Sequence, residues 1–346
     1  MKKKLTIIIV IFIIILALLG VSFFALTKVS DDSASITFNV KAGENKIEIV
    51  NNLKSAGLIR SKYVTYVYVF LNPKLNLQAG TYSLSKSMST KEIITKINDG
   101  KTNEKPAVVH ITFIEGKRLV EYLKQIEDNF NISYDDMINT LNDDKFLNSL
   151  IKDYDFIDES IKNKDIYYSL EGYLYPDTYE FYQNASFETI IRTMLDNMEN
   201  KISSLKEEIN ISKYSFHEIL TMASIIEKEA INNDDRKKVS QVIYTRLDKN
   251  MALGMDVTAY YGANLSLKEE ITNKELNENN PYNTRNTSFK GLPVGPICSP
   301  SVNSIKAALE PAETNYVYFY ADIKTGLVYF AENYEDFLKL KNEFGW

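Results

Sequence analysis

The sequence predicts a chain of mixed helices and short strands behind one amino-terminal transmembrane helix. Three observations carry that reading. Residues 5–27 are an unbroken uncharged run rich in Ile, Leu, Val and Phe, preceded by Lys2, Lys3 and Lys4. A strand-glycine-helix pattern then occurs twice, around Gly43 and around Gly116. Beyond residue 165, aromatic residues crowd together and helical periods alternate with Gly/Pro-rich segments.

At about 1.5 Å per residue, a helix over 5–27 crosses a hydrocarbon core of about 30 Å. The three lysines hold residues 1–4 in the cytoplasm and send everything from Lys28 onward to the outer side. A cleaved signal peptide would have a shorter apolar core and small residues at the cut, whereas Phe23 and Phe24 stand here. Residues 28–35 are polar and read as a linker. Residues 36–40 alternate like a strand, break at Gly43, and give way to a helical period with Ile47, Val50 and Leu53. Residues 109–113 alternate likewise, break at Gly116, and lead to Val120, Leu123 and Ile126, at the same offsets from the glycine.

Between the copies, 62–70 suits a helix or a strand, and Gly80-Thr-Tyr places a short strand within 77–84. Residues 90–97 read as a helix capped by Ser89 or Thr90. Residues 101–106 mark a joint, and 133–164 suit short surface helices. Further helices are expected over about 187–206, 215–231 and 235–250. A hairpin over 316–330 and a helix over 334–344 close the chain.

The 346 residues carry a formal net charge of -6, or -9 without the three leading lysines. That balance argues against nucleic acid, whose binding needs clustered Lys and Arg. Cys298 is the only cysteine, so no disulfide forms within the chain, and it reads as a small buried hydrophobe. His110 and His217 stand in no metal-binding spacing, and no G-x-S-x-G nucleophile motif occurs. No metal and no cofactor are expected.

Four stretches hold residues suited to chemistry. In Leu170-Glu171-Gly-Tyr-Leu-Tyr-Pro-Asp-Thr-Tyr179 a carboxyl stands among tyrosines. Apolar walls disfavour its charged form, and a Glu kept protonated at neutral pH can act as a general acid. Aromatic faces also suit sugar rings, although the same composition suits a buried core with a capping Glu. In 222–230, Glu227 and Glu229 border an apolar helical stripe of Ile219, Met222, Ala223, Ile226 and Ala230. They suit the edge of a cleft or salt bridges to Lys228, Arg236, Lys237 and Lys238. Gly254-Met-Asp256-Val-Thr258, with Tyr260-Tyr-Gly262 after it, is the third stretch. Asn280-Pro-Tyr-Asn283-Thr284-Arg285, running on to Gly291–Pro300, is the fourth. This Gly/Pro segment is a loop, either rigid and structural or functional.

Taken together, these stretches resemble the MltG (YceG-like) family of membrane-anchored endolytic murein transglycosylases. The resemblance spans nearly the whole chain and is strongest in L-E-G-Y-L-Y-P-D-T-Y, A-S-I-I-E-K-E, G-M-D-V-T, P-Y-N-T and G-L-P-V-G-P-I. It implies an α+β architecture: the anchor over 5–27, a LysM-like region over 36–106, a second strand-turn-helix unit over 107–165, and an α+β catalytic domain over 166–346. It implies cleavage of the N-acetylmuramic acid–N-acetylglucosamine bond inside glycan strands, leaving 1,6-anhydromuramoyl ends and terminating elongation.

The family's catalytic Glu corresponds to Glu171. Glu227, Glu229, Arg246, Asp256, Asn283 and Thr284 are the expected supporting or substrate-binding residues, with Tyr173, Tyr175 and Asp177 of the first motif. The partners implied are peptidoglycan strands, the membrane, and penicillin-binding proteins with other cell-wall synthesis proteins. The chain departs from the family at Val257, at Val294 and at Ser299-Pro300-Ser301. Two other readings stand beside this one. The first is a non-catalytic peptidoglycan-binding scaffold. The second is a pyridoxal-phosphate lyase, against which stand the outward topology and the lack of a phosphate-cradling glycine loop.

Overall fold

The structure, a computed structural model, describes residues 24–102, 107–322 and 326–344. The expected cytoplasmic tail, and the expected span up to residue 23, lie outside the described residues. Among those described, no helix is long and apolar enough to cross a membrane. Among the described residues the fold mixes many helices with three two-stranded sheets, and the chain divides into two compact units. One reaches Val109 and includes Glu180–Thr189; the other holds His110–Tyr179 and the chain from Ile190 onward.

In the first unit, β1 (Ile36–Val40) turns through Gly43 into α1 (Lys46–Ser55). Gly43 sits at φ +80°, where a side chain would be strained, and Thr189 fills the space a Cβ would need. The Thr189 hydroxyl donates to the Ala42 carbonyl at 2.9 Å, which draws Glu180–Thr189 into this unit. Asn45 caps α1 and accepts from the Ile47 and Glu48 N–H groups, while Glu48 accepts from Asn45 N–H.

The segment 62–70 resolves as a helix, α2 (Lys62–Phe70), because Ser61 caps it and Thr65 and Val69, four apart, both reach the core. β2 (Gly80–Leu84) then pairs antiparallel with β1, Phe38 opposite Tyr82. α3 (Thr90–Asn98) follows, capped by Ser89 and Glu92. Val50, Leu53, Tyr82, Ile93 and Ile97 pack into one core. The polar stretch before β1 is tied down: Arg60 Nε donates to the Lys28 carbonyl at 2.8 Å, and Ser87 N–H to that of Asp32 at 3.0 Å.

β3 (Val108–Thr112) pairs with β4 (Thr178–Tyr182). After β3 the chain turns at Gly116, at φ +73°, into α4 (Leu119–Asn129), and α5 (Tyr134–Leu141) and α6 (Asp144–Asp153) follow. After β4 come α7 (Phe187–Ile202), a 3-10 turn at Ser203–Leu205 and α8 (Lys206–Ile211). The centre of the second unit is α9 (Phe216–Glu229). It is buried on nearly every face rather than along one stripe, with Leu220, Thr221, Ser224 and Ile225 as deep as Ile219 and Met222. Its buried hydroxyls are satisfied within the helix, Thr221 donating to the His217 carbonyl and Ser224 to that of Thr221.

Against α9 pack α10 (Asn233–Asp248), the short α11 (Asp256–Gly262) and, beyond α12 (Asn273–Leu276), α13 (Val302–Leu309). A hairpin of β5 (Tyr318–Ala321) and β6 (Val328–Ala331) and the helix α14 (Tyr334–Phe344) end the described chain.

Candidate active site

The turn carrying Glu171 is drawn tight by two main-chain bonds. Glu171 N–H donates to the Tyr168 carbonyl at 3.2 Å, and Tyr173 N–H to that of Leu170 at 3.1 Å. Gly172 sits at φ +83°, and a Cβ there would lie 2.5 Å from Pro296 Cβ and 3.3 Å from the Cys298 carbonyl oxygen. Only glycine lets this turn press against the long Gly/Pro loop. That loop is fixed in turn to α9, where Ser224 Oγ accepts from Ile297 N–H at 3.0 Å. It is also fixed to the Gly116 turn, whose N–H donates to Ser299 at 2.8 Å.

Glu171 is 2% exposed. Its Oε1 accepts from the N–H of Leu119, the first residue of α4, at 2.8 Å. The N-cap position there belongs to Arg118, whose side chain has no acceptor. Glu171 supplies the missing acceptor for one of the unpaired donors at a helix start. Its Oε2 accepts from the Tyr261 hydroxyl at 2.9 Å. Burial pushes the carboxyl up, while the Leu119 N–H, the Tyr261 hydroxyl and the Arg118 charge pull it down. Burial wins, and the pKa rises from 4.5 to about 7.

Tyr261 forms the cover. Burial holds its hydroxyl well above the usual tyrosine range, so it donates at neutral pH. The Arg118 guanidinium lies 4.5 Å from its ring centroid and donates to Asn264 Oδ1 at 2.7 Å. Tyr167 and Tyr282 pack beside it, with centroids 5.6 and 4.6 Å from that of Tyr261.

The other tyrosines of the motif are buried supports. The Tyr173 hydroxyl is 3.0 Å from His217 Nδ1, and His217 Nε2 donates to the Val294 carbonyl at 2.9 Å. Tyr175 lies under Lys201, whose Nζ is 5.0 Å from the ring centroid. Asp177 accepts from Asn197 Nδ2 at 3.1 Å and from Thr178 N–H at 2.8 Å, with Lys201 at 3.3 Å. These bonds, Asn197 first, hold its carboxyl below the usual range.

Glu227 does not border an open cleft. Its Oε2 accepts from Ser301 N–H, Ser301 Oγ and Ser304 Oγ at 2.9, 2.6 and 2.6 Å, and Oε1 pairs with Arg236 at 3.3 Å. It thus pins the start of α13 to the end of α9. Asn283 and Thr284 are likewise spent within the chain. The Asn283 amide donates to the carbonyls of Glu275, Leu276 and Glu278, and its Oδ1 accepts from Arg285 N–H. Thr284 Oγ1 accepts from Met255 N–H at 3.1 Å and lies 2.8 Å from Thr258 Oγ1. Their polar atoms stitch the loop to α11 and α12 and leave little for a ligand. Arg246 donates to the carbonyls of Val317 and Leu253 and lies over Tyr318.

Glu229 and Asp256 are within electrostatic reach of each other in a second polar group. Glu229, half-buried at the end of α9, is raised by burial first and by the Asp256 charge second, with Arg246 opposing. Asp256 pairs with Arg285 at 3.1 Å. Asp256 opens α11, and Tyr261 follows five residues later, about 7.5 Å along the axis. One short helix therefore has the Glu171 cover near one end and the Glu229–Asp256 group at the other. Sequence reasoning missed Arg118 and Leu119, and it noted Tyr261 within Tyr260-Tyr-Gly262 without giving it a role. Leu119 acts through its main chain, which leaves no mark in the sequence, and Tyr261 is one of 23 tyrosines. An Arg standing where a helix wants a capping acceptor is the signal that could have raised Arg118.

The YceG-like family model matches residues 38–343. A Bacillus subtilis (strain 168) protein named endolytic murein transglycosylase is 35% identical over 317 residues, covering 91% of this chain and 86% of its own length. A Streptococcus pneumoniae (strain D39) protein of the same name is 31% identical over 315 residues; the match spans 87% of this chain and 57% of that protein. The crystal structure of a yceG-like protein from Listeria monocytogenes superposes with a TM-score of 0.63 at 36% identity, over 89% of this chain and 99% of that one.

Proposed function

The chain belongs to the YceG-like family, and from that membership we infer that it is an endolytic murein transglycosylase. It cleaves the bond between N-acetylmuramic acid and N-acetylglucosamine inside a glycan strand and leaves a 1,6-anhydromuramoyl end. The observation that carries the mechanism is Glu171, a buried carboxyl raised to about 7, so that both protonation states are populated at neutral pH.

As acid, Glu171 gives its proton to the leaving glycosidic oxygen while positive charge develops at the muramoyl anomeric carbon. The ionised Glu171 then takes the proton of that sugar's own 6-hydroxyl as its oxygen closes the anhydro ring. One carboxyl serves both steps, and the nucleophile is already part of the substrate. Ordinary glycosidases use two carboxylates and a water.

The glycosidic oxygen must take the place of the Tyr261 hydroxyl on Oε2. That exchange replaces a donor, which favours the ionised carboxylate, with an acceptor, which favours the acid. Substrate entry thus raises the proton affinity of Glu171 at the moment a proton is required. Glu229, Asp256 and Arg285 hold the strand at the other end of α11. Glu227, Asn283, Thr284, Tyr173, Tyr175 and Asp177 keep the turn and loop in place. The helix over 5–27 anchors the protein with its catalytic unit outside the cell membrane, beside penicillin-binding proteins and other wall-synthesis proteins. The order strand, two helices, strand in the first unit supports a LysM-like role in holding glycan.

Purified protein incubated with glycan strands should release anhydro-ended fragments, and Glu171→Gln should abolish release while keeping the fold. Reducing ends in their place would overturn the mechanism. The scaffold reading draws on the same burial, since solvent hardly reaches Glu171. Glycan chain lengths left unchanged in a Glu171→Gln strain would favour it.

A further inference from the structure

α2 is apolar on faces that point both inward and outward. It reads Lys-Tyr-Val-Thr-Tyr-Val-Tyr-Val-Phe, and Thr65 and Val69 enter the core. Tyr63, Val67, Phe70 and the adjoining Leu71 are 71%, 56%, 84% and 71% exposed. At about 100° per residue they share an arc of about 100°, opposite the buried side. Single exposed apolar residues are ordinary, but a stripe of four large ones marks a contact surface.

Charge and position say what it contacts. Residues 49–91 hold Lys54, Arg60, Lys62, Lys74, Lys86 and Lys91 and no acidic residue, in a chain of net charge -6. Lys54, Arg60 and Lys62 line a cavity of about 490 Å³ at the start of α2, beside Tyr63. The described end of the uncharged run, from Phe24 on, and Lys28 after it come to the same place. The Arg60 guanidinium lies 4.6 Å from the Phe24 ring centroid, Arg60 Nε donates to the Lys28 carbonyl, and Ser61, the next residue, caps α2.

We propose that the Tyr63–Val67–Phe70–Leu71 face of α2 rests on the outer surface of the bilayer, with Lys54, Arg60 and Lys62 on the phosphates of anionic lipid. The proposal rests on the anchored reading of 5–27. The rings and aliphatic side chains enter the boundary between headgroups and acyl chains, and the cations stay at phosphate level. The first unit is then held flat against the membrane rather than swinging on its tether.

The test uses the full chain in nanodiscs containing phosphatidylglycerol and a nitroxide-labelled lipid. Cys298 is the only native cysteine and is buried, so an environment-sensitive dye can be placed at Val67→Cys, at Phe70→Cys, and at Thr95→Cys on α3 as an exposed reference. The expected result is a blue shift and several-fold stronger lipid quenching at 67 and 70 than at 95. Replacing Lys54 and Lys62 with Gln should lower the ratio of docked to free protein by about fivefold per charge.

Equal signals at all three positions, in a chain that stays with the nanodisc, would overturn the docking and leave the anchor standing. A chain that fails to stay with the nanodisc would overturn the anchor and the docking together. Shielding that appears only with added glycan strands, or only as protein concentration rises, would assign the face to glycan or to a second copy and end the proposal.

Discussion

Leu119 and Glu171 stand 52 residues apart in sequence, yet the main-chain N–H of one lies 2.8 Å from a carboxylate oxygen of the other. The start of α4 and the Glu171 turn are thereby a single construction. The acid is oriented by a main-chain group that no substitution other than proline removes, and Tyr261, which holds its other oxygen, becomes the part that can move.

The first prediction concerns activity against pH. A general acid must be protonated in the free enzyme, so kcat/KM should fall as pH rises through about 7, the value to which burial raises Glu171. Glu171→Gln should remove this limb with the activity, a loss of about 100-fold or more. Rates measured on purified glycan strands between pH 5 and 9 check it; a flat profile would remove Glu171 from the acid role.

Tyr261→Phe removes a donor that favours the ionised carboxylate, so the Glu171 pKa should rise and the falling limb should move to higher pH. The same pH series on this variant reads the effect. An unmoved limb would mean that the hydroxyl has no hold on the acid in solution.

Stability should follow pH in a stated direction. The folded pKa of Glu171 lies above its usual 4.5, so its contribution is complete below 4.5 and is lost as pH rises through about 7. Glu171→Gln should therefore be more stable than the native chain at pH 8, by up to about 3 kcal/mol, and the gain should shrink toward pH 5. Denaturant unfolding at the two pH values measures it. A variant less stable at pH 8 would contradict the burial argument.

Glu227→Ala should behave differently. It leaves Ser301, Ser304 and the Arg236 charge without the carboxylate that pairs them, Arg236 keeping only Asn233 Oδ1 among the described residues, and should cost about 3–5 kcal/mol. The pH limb of the protein that remains folded should not move. Melting temperature and pH profile together separate this structural role from a catalytic one.

Much of the frame was legible because local signals agreed with the fold. Gly43 and Gly116 both take the left-handed conformation that a strand-to-helix turn wants, and Ser89, one of the two caps expected for the helix over 90–97, is the one that caps it. The Glu171 motif was legible as a motif. What escaped were partners distant in sequence. Glu227 reads either as a cleft residue or as a salt-bridge partner of residues such as Arg236; the Arg236 pair forms, and Ser301 and Ser304, 74 and 77 residues on, also take its carboxylate. Asn283 and Thr284 have the chemistry of sugar ligands, and the loop uses that chemistry on itself.

Cys298 adds a consequence of another kind. The sole thiol is sealed in the loop that the Gly172 turn presses upon, and burial lifts its proton affinity far above that of a free cysteine. The folded chain has no bridge to make, break or shuffle, so its native state is indifferent to the redox poise of its surroundings. Any alkylating reagent that does reach this sulfur counts the moments when the loop lifts away from the acid.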